Sequence, residues 1–194
     1  ACIASEFHLD AASIQAALLH DVVEDTPSTG EDIKKKFGTQ VAKLVDGLSK
    51  LDKVHFADDT EAQAENFRKM LLAMSQDVRV ILIKLADRLH NMQTLEPLKP
   101  SKRRKISQET SDIYAPIANR LGLNNVYQEL EDLSFKYIHP LRYKTITKAI
   151  LASRGNRKEI IKKTLIAIKD KLEKSEIKAA ITGREKNPAS IHRK

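Results

Sequence analysis

Apolar residues recur at helical spacing along most of the chain, in blocks separated by short polar, proline or glycine breaks. Asp10 is placed to cap a helix running to about Glu24, with Ile14, Ala17, Leu18 and Val22 as its apolar stripe and Pro27 beyond its end. Ser28 and Glu31 form a capping-box pair for a short helix that stops at Gly38. Thr39 caps the next, with Val41, Leu44, Val45 and Leu48 facing inward. Residues 51–59 show no clear period and read as a loop, and a helix from about Thr60 to Ser75 follows. Asp77 opens another helix through Leu95. It is apolar almost all round from Val80 to Leu85 except at Lys84, which predicts a central position. After Pro97 and Pro100, Ser101 caps a basic helix to Leu121, closed by Gly122. Asn124–Tyr137, Pro140–Ser153 and Asn156–Lys174 read as three more helices, and Lys178–Thr182 alone reads as a strand. The pattern is nearly all helical.

Composition narrows the class. A chain of 194 residues, 41% hydrophobic and 31% charged, fits a soluble globular protein with a sizeable core. No apolar run approaches a membrane span, and nothing at the start resembles a signal peptide. The single Cys2 excludes an internal disulfide and suits a reducing, cytoplasmic setting. A net charge of +8 points towards anionic partners. Five Phe, four Tyr and no Trp leave no evident stacking platform for nucleic acid, so a phosphate-rich small molecule is the expected partner. The chain has no initiator methionine, Ala1–Phe7 reads as the last turns of a helix, and the end at Lys194 is equally abrupt; both ends look cut.

The candidate chemistry lies in two stretches. ALLHDVVEDT, Ala17 to Thr26, packs His20, Asp21, Glu24 and Asp25 into six positions, directly after an apolar run. Ionised acids crowded around an imidazole repel each other unless a cation sits among them, and this donor set suits manganese, iron or zinc. Acids left over are placed to handle protons. The plain alternative is a solvated acidic helix end. On the central helix, Asp87 follows a stretch too apolar for a carboxylate without a cation or hydrogen bonds beside it, so Asp87 is a candidate to close the same site. Its plain alternative is a surface ion pair with Lys84 or Arg88. Asn91 lies one turn beyond Asp87 on the same face.

ALLHDVVEDT followed by KLADRLHNMQTL resembles the hydrolase domain of the RelA/SpoT family, a branch of the HD metal-dependent phosphohydrolases. The resemblance continues through GLSKLD, AQAENFRKMLLAMSQDVRVILIKLADR, IYAPIANRLGL and LEDLSFKYIHPLRY. It ends in TGREKNPASIHRK, which is similar to the opening of the family's synthetase domain. The bifunctional, SpoT-like branch fits best. The resemblance implies an all-α HD-domain helical bundle over residues 1–120. Linking helices and the start of a mixed α/β synthetase domain would occupy 121–194.

The resemblance also implies an activity. Family members remove the 3′-pyrophosphate of the alarmones ppGpp and pppGpp, using Mn2+ held by two histidines and two aspartates. Carried onto this chain, His20, Asp21 and Asp87 are metal ligands. Glu24 and Asp25 match the acids that activate water, and Asn91 and Thr94 match positions that contact the nucleotide. The family's first histidine, in a His-Pro pair, and its basic alarmone-holding residues are expected upstream of Ala1. His8 aligns with an ordinary helix position, and His55, His90, His139 and His192 have no claim from the motif. Arg184, Lys186, Ser190 and Lys194 match synthetase positions that contact phosphates or base, in a cationic strand-loop-helix start suited to phosphate. Ala189 stands where the family often has an aromatic residue, and the synthetase's catalytic acids lie beyond Lys194; a disordered basic tail is the plain reading there.

Two other readings compete. One is an HD phosphohydrolase for a different nucleotide, which KLADRLHNMQTL and the GREK segment argue against. The other is a non-catalytic helical module that binds nucleotide or a regulatory protein partner. The basic runs Lys34–Lys36, Lys102–Lys105 and Lys162–Lys163 read as solvated helix faces.

Overall fold

A computed structural model describes residues 1–52, 77–152, 154–175, 177–181 and 187–193. The expected helix over 60–75, most of the loop over 51–59, and His55 lie outside the described residues. The regular elements among the described residues are all helices, in agreement with the all-helical reading.

The helix Val78–Gln93 is the centre of the bundle, as its apolar sequence predicts. Ile81, Leu85 and Met92 are fully buried, and Val80, Ile83, Ala86 and Leu89 nearly so. Asp77 starts it by accepting from Arg79 N at 3.0 Å, leaving one fewer orphan amide in the first turn. The Arg79 guanidinium then ties two helix starts together, bonding Asp77 Oδ2 and Asp10 Oδ2 at 2.6 Å each. Asp10 caps the helix Ala11–Leu19 through Ser13 N. Around the central helix pack Cys2–Glu6, Ala11–Leu19, Thr39–Asp52 and Asn124–Ile138.

Thr39–Asp52 buries Val41, Leu44, Val45 and Leu48, the face its spacing predicts. It approaches the central helix closely at Gly47, where an added Cβ would lie 2.9 Å from Val80 Cγ2. A valine methyl on a stiff β-branched stem gives way poorly. Gly47→Ala should therefore destabilise the protein by about 1 kcal/mol net, overpacking of about 2 kcal/mol exceeding the helix-propensity gain of about 1. Denaturant titration checks this; an unchanged or raised midpoint would show that Val80 repacks freely.

The structure corrects the sequence reading at several points. The helix expected to run to Glu24 ends at Leu19, and a separate turn, Val22–Asp25, follows. Asp21 sits at φ −95°, ψ −5°, and its carbonyl accepts from Glu24 N and Asp25 N at 3.0 and 2.8 Å, which starts the new turn. Leu18, assigned to the buried stripe, is 66% exposed, because the helix Ala11–Leu19 buries the small residues Ser13 and Ala16 beside the expected Ala17. The capping box is Thr29 with Asp32, one residue later than expected, and opens Gly30–Phe37.

The basic helix is capped at Lys99 with Pro100 in its first turn, not at Ser101. It is also not one regular helix. Between Pro100–Glu109 and Ala115–Arg120 lies a π-turn, Thr110–Tyr114, in which Ala115 N donates to Thr110 O. Pro116 explains this: inside a regular helix its ring would meet the carbonyl four residues back, and widening the preceding turn relieves that clash.

Asn124–Ile138, Pro140–Ala152 and Arg154–Lys174 form close to the expected positions. Lys178–Ile181 carries no strand pairing, since no neighbouring strand stands among the described residues to accept its backbone bonds. Beyond it, Asn187 caps a short helix, Pro188–His192, that rests on Asn124–Ile138 and Pro140–Ala152. Asp132 accepts from Ala189 N, Asn187 donates to Gln128 O, and Arg193 bonds Tyr127 and Glu131. Within the expected basic tail, the described residues Asn187–Arg193 thus pack on the bundle. No helix among the described residues is long and apolar enough to cross a membrane.

Candidate active site

The break after Leu19 and the central helix together make the site. His20 stands at the end of Ala11–Leu19, half-buried, with its Nδ1 3.0 Å from Ala17 O. A carbonyl oxygen only accepts, so Nδ1 carries the proton and donates. That leaves Nε2 pointing at two carboxylates, 3.0 Å from Asp21 Oδ2 and 3.6 Å from Asp87 Oδ1. A bare ring nitrogen facing two anions is unfavourable; a proton or a cation has to lie between them. Without a cation, the proton serves. The Asp87 carboxylate raises the His20 pKa above its ordinary value most strongly, burial opposes this, and Asp21 adds to the rise.

Asp87 comes from the central helix and is mostly buried. Burial is the largest single influence and pushes its pKa up. The partners outweigh it: His20 and then the Lys84 ammonium bring the carboxyl down to about 2. Lys84 Nζ lies 3.2 Å from Asp87 Oδ2, and Asn91 Nδ2 donates to Asp87 Oδ1 at 3.1 Å. The Lys84–Asp87 pair foreseen as a surface contact is thus a buried one, with Lys84 only 7% exposed. Arg88 does not pair with Asp87; its guanidinium turns away to Glu109 and Tyr114.

Beside these groups lies a cavity of about 310 Å3, with Ala17, Ile83 and Ala86 as apolar wall and His20, Asp87 and His90 as polar edge. Ala1, Cys2 and Ile3 line it as well. His90 is a residue the motif reading passed over. Its signal was its position three residues after Asp87 on one helix, which puts both on one face.

The remaining expected site residues are less closely gathered. Asp21 is exposed, and so are Glu24 and Asp25 on the separate turn, with no hydrogen bond or ion pair joining the last two to His20 or Asp87 among the described residues. The helix break turns them out of the face that a continuous helix would have shared. Thr94 ends the central helix and donates its hydroxyl to His90 O at 3.0 Å. Ser190 lies in Pro188–His192, where its N–H is taken by Asn187 Oδ1 at 2.9 Å. Arg184, Lys186 and Lys194 lie outside the described residues.

The donor set fits a divalent ion in kind. It offers one imidazole nitrogen with its tautomer set by a backbone carbonyl, and two carboxylates within reach of that nitrogen, the usual second-sphere arrangement of a metal-binding histidine. It is not a finished cage: among the described residues no three His, Cys, Asp or Glu side chains converge on one point.

Comparison with known proteins identifies the family. Residues 1–124 match the HD domain family. Over 192 residues, 99% of this chain and 27% of the relative, it is 55% identical to the bifunctional (p)ppGpp synthase/hydrolase SpoT of Escherichia coli K12. It is 53% identical over its full length to guanosine-3′,5′-bis(diphosphate) 3′-pyrophosphohydrolase of Haemophilus influenzae, covering 29% of that protein. A GTP pyrophosphokinase rsh of Brucella abortus is 45% identical over the full chain, with 26% of the relative covered. The chain thus spans little more than a quarter of the length of these relatives.

Proposed function

This chain belongs to the HD domain family, in its SpoT-like RelA/SpoT branch, and from that premise we propose that it carries the (p)ppGpp 3′-pyrophosphohydrolase site of a longer enzyme. The observation that carries the reading is His20 Nε2 aimed at Asp21 and Asp87 while Nδ1 is committed to Ala17 O. Residues 1–120 form the hydrolase unit, and 121–194 link it to the start of a synthetase unit. The substrate is the alarmone, and the products are GDP or GTP and pyrophosphate. The reaction belongs in the cytoplasm.

His20, Asp21 and Asp87 would hold Mn2+, with a further histidine supplied from upstream of Ala1. When bound, the ion lowers the pKa of a water and draws charge from the phosphoryl oxygens. Asp87 keeps its ionised form through Lys84 and His20, ready to accept a cation at Oδ1. Ala17 O keeps the Nδ1 proton in place, so that Nε2 is the nitrogen available for coordination. Glu24 and Asp25, exposed on the turn that follows His20, are the carboxylates that would take the proton of the attacking water. Asn91, oriented by Asp87 Oδ1, and Thr94, at the end of the same helix, would contact the nucleotide. Arg184, Lys186, Ser190 and Lys194 would belong to the phosphate-binding start of the synthetase unit.

The test is pyrophosphate release from ppGpp with added Mn2+, run on this chain and on a version extended upstream through the His-Pro pair. Turnover in the extended version, abolished by a chelator, is expected. A folded, Mn2+-loaded extended chain that leaves ppGpp intact would overturn the hydrolase reading and leave a helical binding module.

A further inference from the structure

We propose that Lys84 is a built-in counter-ion of the candidate metal position, a positioning residue that acts through Asp87 to hold the site's affinity for a divalent cation down. The inference rests on the metal-site reading above and adds a role for a residue that the motif does not single out.

Lys84 lies on the central helix three residues before Asp87, in a stretch otherwise made of Val80, Ile81, Leu82, Ile83 and Leu85. Burying an ammonium there is costly without a matching anion, and an aliphatic side chain would pack the position more favourably. The anion is Asp87. Its two oxygens serve different neighbours: Oδ2 faces Lys84 Nζ at 3.2 Å, while Oδ1 faces His20 Nε2 and accepts from Asn91. The carboxylate is therefore held from one side by the Lys84 ammonium, and its orientation is set before any metal arrives.

Two consequences follow from Coulomb's law. The Lys84 and Asn91 contacts offset the cost of burying Asp87 without a metal, so the site folds with the carboxylate already in position. A divalent ion on the Oδ1 side then shares one carboxylate with a positive charge a few ångströms away, in a medium less screening than water. That repulsion weakens binding and keeps the ion exchangeable.

The deciding experiment titrates Mn2+ by calorimetry into the chain extended upstream through the His-Pro pair, comparing the native sequence with Lys84→Gln. Glutamine keeps an N–H donor for Oδ2 and removes the charge. The variant is expected to bind Mn2+ at least about tenfold more tightly at the same stoichiometry. It should also unfold at a lower temperature without metal, and gain more on adding Mn2+ than the native sequence does. Lys84→Arg, which keeps the charge, should bind as the native sequence does. In an Asp87→Asn background, Lys84→Gln should change nothing. Lys84→Met carries the same expectation as Gln and serves if the Gln variant does not fold. Equal or weaker Mn2+ binding by the charge-free variants, with binding by the native sequence intact and lost in Asp87→Asn, overturns the role of Lys84 and leaves the hydrolase reading standing. Absence of Mn2+ binding by the native sequence overturns both.

Discussion

On the proposed function, Asp87→Asn, made in a chain extended upstream through the proposed His-Pro pair, should cut Mn2+-dependent ppGpp hydrolysis about a thousandfold or more while the protein remains folded. The size follows from the role. A metal that stabilises phosphoryl charge supplies several kcal/mol to the transition state, and each ~1.4 kcal/mol is a factor of ten in rate. The amide keeps the shape of the carboxylate and an oxygen for Lys84 Nζ, but brings no charge to a cation shared with His20. Asp87→Ala is the poorer probe: it leaves the buried ammonium with no oxygen facing it, a change that costs about 3–5 kcal/mol of stability and confuses loss of folding with loss of chemistry. Hydrolysis rate and Mn2+ stoichiometry should be measured together, with circular dichroism to confirm the fold. Activity within tenfold of the native sequence, with metal still bound, would remove Asp87 from the ligand set.

Arg88→Met should cost about 3 kcal/mol of folding stability, the largest effect expected from a residue outside the site. The Arg88 guanidinium is enclosed between the central helix and the π-turn. It bonds Glu109 Oε1 at 2.9 Å and lies 4.0 Å over the Tyr114 ring, with its Nε lacking a hydrogen-bond partner among the described residues. The pair is too buried for solvent to take over the lost interaction: the side chains of Arg88 and Glu109 are 13% and 21% exposed. Removing the cation strands the Glu109 carboxylate and takes the charge from the aromatic face. Glu109→Gln, which keeps an acceptor, should cost roughly half as much, and the two changes together should cost less than their sum, because either one already breaks the same contact. Chemical denaturation of the four proteins of this cycle checks it. A loss below about 1 kcal/mol for Arg88→Met would mean that desolvation cancels the attraction.

How much of this was legible in the chain can be judged residue by residue. Periodicity alone placed the central helix, since Val80 to Leu85 is apolar on every side and only a helix enclosed by others can bury it. The inward face of Thr39–Asp52, the cap at Asp77 and the stop at Gly38, whose φ is +90°, were equally local matters. The pairing of HDVVED with KLADRLHNM pointed to His20, Asp21 and Asp87 as one group, and the structure sets His20 against both carboxylates.

What the sequence could not decide were the features that depend on contacts across the bundle. Leu18 occupies a helix position that reads as apolar-facing, yet only the packing shows that Ser13, Ala16 and Ala17 are the residues small enough to meet the neighbouring helices. Asp21 carries no proline or glycine signal, so the break that separates Glu24 and Asp25 from His20 had no local mark. Pro116 was the visible cause of the π-turn, but its consequence, a Tyr114 ring under Arg88, required the central helix to be in place. Lys178–Ile181 has strand-like residues and no strand, because a strand's backbone bonds belong to its neighbours. Local pattern thus determined which segments become helices and which residue types gather at the site. Only the tertiary structure decided which charges are buried together, because burial and pairing are properties of the space between helices that no single stretch of chain contains.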